Sequence, residues 1–157
     1  MLSHLAHPHP DIAPVQLAEP IGGAVLISPW VTFDQSAASL TSNQYKDMLT
    51  AITLRTMSDS YIGSKESDPY LEPLKAPAGW WQSLPVSKIL HMGGGDELFL
   101  DDIKKIGTIL TKELPRKVTT IISPNTAHDQ PLLDYIVDLG KPGEQAEAFA
   151  NFVATGG

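Results

Sequence analysis

The sequence lacks cysteine and has no long apolar segment. Without cysteine, disulfide bonds and thiolate-ligated metals are excluded. No apolar run approaches the roughly 20 residues that a membrane-spanning helix needs. The first eight residues have neither the charged start nor the apolar stretch of a secretory signal. We therefore expect a cytoplasmic protein with no membrane span.

The sequence also lacks an excess of positive charge. It has 11 Lys and Arg against 18 Asp and Glu, which gives a formal net charge of -7. The basic residues form only isolated pairs, such as Lys104 with Lys105 and Arg116 with Lys117. Because nucleic acids bind to clustered Lys and Arg side chains, we expect no nucleic-acid partner. The hydrophobic content of 42% is that of an ordinary globular chain.

Predicted strands and helices alternate along the chain. Short apolar or β-branched segments predict strands at residues 23–28, 86–92 and 117–123. Helical spacing of apolar side chains predicts helices at residues 1–6, 47–62, 101–114, 131–138 and 143–154. The remaining segments, 8–20, 29–46 and 63–86, are predicted to be loops or irregular connections. This alternation predicts the α/β class, with about three parallel strands and flanking helices.

A sheet of three buried strands is incomplete on its own. A parallel sheet needs helices on both faces, and a strand as apolar as residues 24–27 normally has neighbours on both sides. Two explanations remain open. Either the chain associates with a second copy of itself or with another chain through an open sheet edge, or more protein precedes Met1, and we favour the second.

Two acidic residues and a histidine follow neighbouring strands. Asp96 and Glu97 come after the second strand, and His128 comes after the third. The carboxyl ends of parallel strands share one edge of the sheet, where α/β proteins place their sites. A carboxylate beside an imidazole holds it in the tautomer of a general base. Taken alone, such a histidine is more often solvated, and an Asp-Glu pair after a strand is more often a helix cap.

Several motifs together resemble one family. They are residues 23–30 (GAVLISPW), Asn43 with Asp47, residues 68–70, residues 94–102 (GGDELFLDD) and residues 127–129. Their order and spacing are similar to the second half of hormone-sensitive-lipase-like esterases of the α/β-hydrolase fold, particularly the fungal ones. The resemblance covers nearly the whole chain, so residues 1–157 are expected to form the C-terminal half of such a domain.

The resemblance also implies roles for the site residues. His128 corresponds to the base of the catalytic triad. Glu97 corresponds to the acid, because Phe99 and Asp101 stand two and four residues after it, as in the family pattern. Asp96 is one residue out of that register and is the alternate acid. Trp30 is expected to border the site.

The family's nucleophile is absent from this sequence. No Gly-x-Ser-x-Gly motif occurs, so no serine here is the expected nucleophile. In the family, that serine elbow and the oxyanion loop lie upstream of the matching segment. Residues 91–95 (HMGGG) imitate an oxyanion loop but stand in the wrong order, and their glycines are predicted to form a tight turn. Ser28, Ser58 and Ser60 are expected to be surface or capping residues.

The sequence therefore leaves three functions open. The resemblance implies a serine-type carboxylic ester hydrolase acting on small-molecule esters, with this chain alone inactive and with no cofactor or metal. The alternative is a truncated, non-catalytic protein that pairs with a partner chain. A metal hydrolase using His128 with Asp96, Glu97 or Asp129 is disfavoured because the ligand set is thin. The histidines at positions 4, 7 and 9 also lack supporting ligands, and Trp80 with Trp81 is expected to be packed.

Overall fold

A computed structural model describes residues 1–137 and 140–156. Within these residues there are three strands, β1 (Ile21–Ile27), β2 (Val86–Gly94) and β3 (Val118–Ser123). Six helices surround them, namely α1 (Leu2–Ala6), α2 (Ser39–Ser42), α3 (Ala51–Ile62), α4 (Leu100–Glu113), α5 (Gln130–Ile136) and α6 (Glu144–Ala154). Two 3₁₀ helices, Pro73–Lys75 and Trp80–Ser83, lie in the connection before β2. The predicted helix over residues 131–138 extends to Asp138, which lies outside the described residues.

The three strands form one parallel sheet in the order β1-β2-β3. Val25 pairs with Leu90, and Met92 pairs with Ile121, so the strands are in register at their carboxyl ends. The prediction of an α/β fold with three parallel strands and flanking helices is confirmed. All three strands consequently deliver their following loops to one edge of the sheet.

The central strand is β2, which has a neighbour on each side, and its residues from Ile89 to Gly94 are all buried. The equally apolar β1 lies at an edge of the sheet that the described residues form, and its residues from Gly23 to Ile27 are only half-buried. The outer edge of β1 has no strand partner within the described part of the chain.

Helix α4 packs one face against the sheet and joins two hydrophobic clusters. Ile106 and Leu110 belong to a cluster with Ile89 of β2, and Ile103 belongs to a second cluster around Leu98. Burying each such side chain contributes roughly 1.5–3 kcal/mol to stability. The predicted helix over residues 101–114 is thus present, and it begins directly after the loop that contains Glu97.

Two features near the site differ from the sequence prediction, the start of one helix and the presence of another. Helix α3 begins at Ala51 and not at Asp47, because Thr50 caps it by accepting a hydrogen bond from the Thr53 N–H. The short helix α2 lies in a segment that was predicted to be a loop. Within residues 1–137 and 140–156, no helix combines the length and the apolar character that crossing a membrane requires.

Candidate active site

The loops after β2 and β3 bring Glu97 and His128 together. Glu97 Oε2 lies 3.1 Å from His128 Nδ1. The Glu97 side chain is fully buried, whereas 17% of the His128 side chain is exposed. Because a carboxylate only accepts, the imidazole proton is on Nδ1 and the Nε2 atom keeps its lone pair. This is the arrangement of an acid that orients a general base.

The neighbouring Asp96 points elsewhere. Its Oδ1 atom forms an ion pair with Lys46 Nζ at 3.1 Å, and 26% of its side chain is exposed. Its backbone N–H donates to the Thr126 carbonyl at 3.0 Å, which ties the two loops together. Of the two predicted acids, Glu97 is the one in hydrogen-bonding contact with His128.

The second oxygen of Glu97 is held from two sides. Ser28 Oγ donates to Glu97 Oε1 at 2.6 Å, and the Gly94 backbone N–H donates to the same atom. A buried carboxylate requires such donors, because its desolvation is otherwise costly. Glu97 therefore has one oxygen fixed by its surroundings and the other directed at His128.

Ser28 is not the surface or capping residue that the sequence predicted. It is 3% exposed, follows the last residue of β1 and has a φ of 44°. Its hydroxyl donates to Glu97 and accepts from the Asp129 N–H at 3.1 Å. With both interactions satisfied, this hydroxyl is not placed as a nucleophile. Ser58 is also buried, and its hydroxyl donates to the Arg55 carbonyl within α3.

Two side chains between α2 and α3 also bind these loops, Asp47 both of them and Asn43 the loop after β2. Asp47 accepts from the His128 N–H at 3.2 Å and from the Leu98 N–H at 2.6 Å. Asn43 Nδ2 donates to the carbonyl oxygens of Gly95 and Glu97. Both residues belong to the motif set that carries the family resemblance. Sequence reasoning did not assign them this role, because their partners lie 51 to 81 positions away.

The glycines after His91 include the end of β2, and the predicted tight turn follows at Gly95 and Asp96, where the Glu97 N–H donates to the Gly94 carbonyl. Strand β2 continues through Gly93 and Gly94. A Cβ atom on Gly94 would lie 2.0 Å from the Thr126 carbonyl oxygen, so glycine allows the loop that carries His128 to cross close to the strand. The position is a close backbone approach, not a chain reversal.

His91, the other histidine of that segment, lies inside the sheet and not at its edge. It is fully buried in β2, and a Cβ atom on Gly107 of α4 would lie 2.9 Å from its ring. Burial lowers the pKa of His91 to about 4, so it is neutral near pH 7. His91 thus lies in the packed interior of the sheet, whereas Glu97 and His128 lie in the loops that follow its strands. This difference agrees with the rejection of residues 91–95 as an oxyanion loop.

The electrostatics of His128 combine opposing influences. Burial lowers its pKa, but the hydrogen bond with Glu97 and the negative charges of Asp129, Glu97 and Asp47 raise it, and the net shift is upward. Asp129 Oδ2 lies 3.5 Å from His128 Nε2. The imidazolium that forms when a base takes up a proton is thus favoured by its surroundings.

An apolar cleft of about 640 Å³ lies near the pair, lined by Trp30, Phe33, Thr56, Met57, Ser60, Tyr61 and Leu71. Phe99 connects the cleft to the pair. Its ring meets His128 edge-on at 5.4 Å between centroids and stacks with Trp30 at 5.5 Å. Trp30 thus contacts Phe99, and Phe99 in turn contacts His128. Trp81, by contrast, is 3% exposed and part of the core.

The described residues contain no group of three or more His, Cys, Asp or Glu side chains placed to hold a metal ion. His128 Nδ1 is engaged by Glu97. His4 and His7 each direct Nε2 at a backbone carbonyl, those of Ala13 and Trp80. The hypothesis of a metal hydrolase therefore gains no support from the arrangement of these side chains.

Comparisons with known proteins agree with this architecture. Residues 4–131 match the family described as the α/β hydrolase fold. An esterase from the bacterial hormone-sensitive lipase family is similar in structure, with 22% identity and a TM-score of 0.65 over 83% of this chain and 41% of that one. A hormone-sensitive lipase from a metagenome library has 23% identity and a TM-score of 0.64 over 78% and 40%.

A hormone-sensitive-lipase homologue, also from a metagenome library, has 26% identity and a TM-score of 0.53 over 68% of this chain and 35% of that one. The chain thus spans about two fifths of the length of the solved structures it matches. None of the curated proteins matches it. From the match over residues 4–131, the chain belongs to the α/β hydrolase fold family.

Proposed function

We propose that residues 1–157 supply the acid and the base of a serine-type carboxylic ester hydrolase. The observation that carries the proposal is the contact of 3.1 Å between buried Glu97 and His128 Nδ1, which leaves Nε2 for a nucleophile. Glu97 is the acid, and Asp96 is not, because Asp96 pairs with Lys46. Membership of the α/β hydrolase fold family and the similarity to esterases support this function.

In the proposed reaction, a serine outside residues 1–157 attacks the ester carbonyl while His128 Nε2 takes its proton. Glu97 keeps the imidazole oriented and stabilises its positive charge. His128 then gives the proton to the leaving alcohol, which departs and leaves an acyl-enzyme. The same imidazole then takes a proton from the water that attacks the acyl-enzyme, and it returns this proton to the serine oxygen as the carboxylic acid departs. The chain contains no Gly-x-Ser-x-Gly motif, so it is inactive by this route when alone.

The proposed substrate is a small ester with an apolar part. The cleft lined by Trp30, Phe33, Met57 and Leu71 is apolar and open, and Phe99 links it to His128. An acyl chain or ring lying on Trp30 would place its ester group toward His128. Removing apolar surface from water is the main source of such binding energy.

The test uses the native protein captured from its source with an antibody against α6. A fluorophosphonate probe reacts with serines that an acid–base pair activates. We expect labelling of one serine outside residues 1–157 and hydrolysis of p-nitrophenyl butyrate. Isolated residues 1–157 serve as the control and should show neither. Labelling of a serine within residues 1–157, or no labelling of the native protein, contradicts the proposal.

The alternative is a non-catalytic chain that pairs with a partner through the outer edge of β1. Its support is the half-buried state of the apolar residues 23–27 and the lack of a strand partner there within the described part of the chain. Unpaired strand edges readily add another strand. Size-exclusion chromatography with light scattering distinguishes the two. A monomer that unfolds cooperatively counts against an obligate partner chain.

A further inference from the structure

Two adjacent backbone amides in the loop after β3 are held by side chains that also bind the loop after β2. The His128 N–H donates to Asp47, which also accepts from the Leu98 N–H. The Asp129 N–H donates to Ser28, which itself donates to Glu97. Ser28 and Asp47 thus each connect the acid-bearing loop to the base-bearing loop.

Ser28 makes these contacts from an unfavourable backbone conformation. Its φ of 44° lies in the left-handed region that L side chains rarely adopt. Glycine is at ease at such a position, but glycine has no hydroxyl. The serine is also 3% exposed, so its hydroxyl is withdrawn from water. The positive φ and the burial of the hydroxyl both cost free energy. The hydroxyl offsets these costs with two hydrogen bonds, one donated to Glu97 and one accepted from the Asp129 N–H.

We propose that Ser28 is a positioning residue of the esterase site, which fixes the Glu97 carboxylate and the backbone beside His128 in one mutual geometry. A carboxyl group is planar, so holding Oε1 with Ser28 and Gly94 sets the direction of Oε2. That direction leads to His128 Nδ1. The inference rests on the proposed function in one respect, namely that His128 acts as the base.

Ser28 is a cleaner test of this coupling than Asp47. Asp47 also carries a charge that acts on His128 and accepts hydrogen bonds from the N–H groups of Met48 and Leu49. Replacing it would change electrostatics, local backbone and loop contacts at once. Replacing Ser28 removes one neutral hydroxyl and leaves every charge in place.

The experiment follows the imidazole of His128 by NMR in ¹⁵N-labelled residues 1–157, which requires no turnover. In the parent chain we expect a protected Nδ1 proton and a pKa of His128 above its ordinary value. In both Ser28→Ala and Ser28→Gly, we expect this proton to exchange about tenfold faster or more. We also expect the pKa of His128 to fall toward its ordinary value in both variants.

Ser39→Ala is the matched control. Ser39 is 2% exposed, and its hydroxyl donates to the Leu98 carbonyl at 2.7 Å, so it binds the same loop without touching the Glu97 carboxylate. This control should leave both readouts of His128 unchanged, although it also loses a buried hydrogen bond.

Each outcome decides the proposal. If His128 behaves as in the parent chain in both Ser28 variants, the proposal is wrong. If only Ser28→Ala changes His128, the strained backbone and not the hydroxyl is responsible, and the proposal is again wrong. If Ser28→Ala does not fold, Ser28→Gly decides alone, because glycine tolerates the positive φ. Failure of the esterase proposal would appear instead in the fluorophosphonate experiment.

Discussion

The Nδ1 atom of His128 lies 3.1 Å from Oε2 of Glu97, although the two residues are 31 positions apart in the sequence. The contact uses Nδ1, and it leaves Nε2, which lies 3.5 Å from Asp129 Oδ2, free of Glu97. A hydrolase needs its base in this orientation, since the nucleophile and the substrate approach from outside the core.

Replacing Glu97 by Gln should disable the base while leaving the fold in place. The amide is similar in shape but carries no charge, so the pKa of His128 should fall in residues 1–157 when followed by NMR. In the proposed intact esterase we expect kcat to fall by roughly 10⁴-fold, the size of effect known for an acid replaced by its amide in a triad. Asp96→Asn is the control and should keep kcat within about threefold, because Asp96 faces Lys46.

The proposed esterase activity of the intact protein should be lost at acidic pH. The pKa of His128 is raised above its ordinary value. A general base works only when neutral, so kcat/KM should reach its plateau above the raised pKa and fall as the pH drops through it. Asp129→Asn removes one of the charges that raise this pKa and should move the midpoint to lower pH. A midpoint that stays in place would show that Asp129 does not act on the base.

Gly94→Ala should disturb the site more than an ordinary glycine replacement. The new Cβ atom would lie 2.0 Å from the Thr126 carbonyl oxygen, and backbone cannot move aside as a side chain can. We expect a loss of about 3 kcal/mol in the free energy of urea unfolding, at the upper end for overpacking, with a displaced His128 signal. Gly63→Ala is the control. Gly63 has a φ of 59° and a ψ of -125° with no atom within 4 Å, so conformational strain of about 1–3 kcal/mol is expected, with the His128 signal unchanged.

Acid should destabilise the chain through His91. Its pKa is about 4 in the folded state and about 6.5 when unfolded. The unfolded state therefore takes up the proton first, and stability falls as the pH drops from about 6.5 toward 4. Linkage gives a loss of about 2 kcal/mol between pH 7 and pH 5. Urea unfolding at both pH values should show this loss, and His91→Leu should reduce it. An equal loss in the variant would assign the effect to other groups.

The sheet and the pairing of Glu97 with His128 could be predicted from the sequence, and the reason is physical. Apolar strands and amphipathic helices leave strong periodic patterns, and parallel strands bring their following loops to one edge. The choice between Glu97 and Asp96 was harder. It depends on which of two adjacent side chains turns inward after Gly95, and only the family register favoured Glu97.

The supporting residues could not be predicted in the same way. The burial of Ser28 depends on partners 69 and 101 positions away, and a serine before proline carries no periodic signal. The helical spacing from Asp47 onward concealed the fact that Thr50 is the cap and that Asp47 turns toward the loops. The close approach of Thr126 to Gly94 could not be predicted either, because it is a tertiary contact.

The donors that hold the Glu97 carboxylate come from Ser28, Gly94 and His128, all of which lie between β1 and α5. The acid–base pair is thus preassembled without any atom from the segment that carries the proposed serine. The proposed esterase could therefore be divided ahead of β1 without dismantling the pair. Ester hydrolysis would then occur only when the piece with the serine associates with the piece that carries Glu97 and His128. This is how a complementation sensor works.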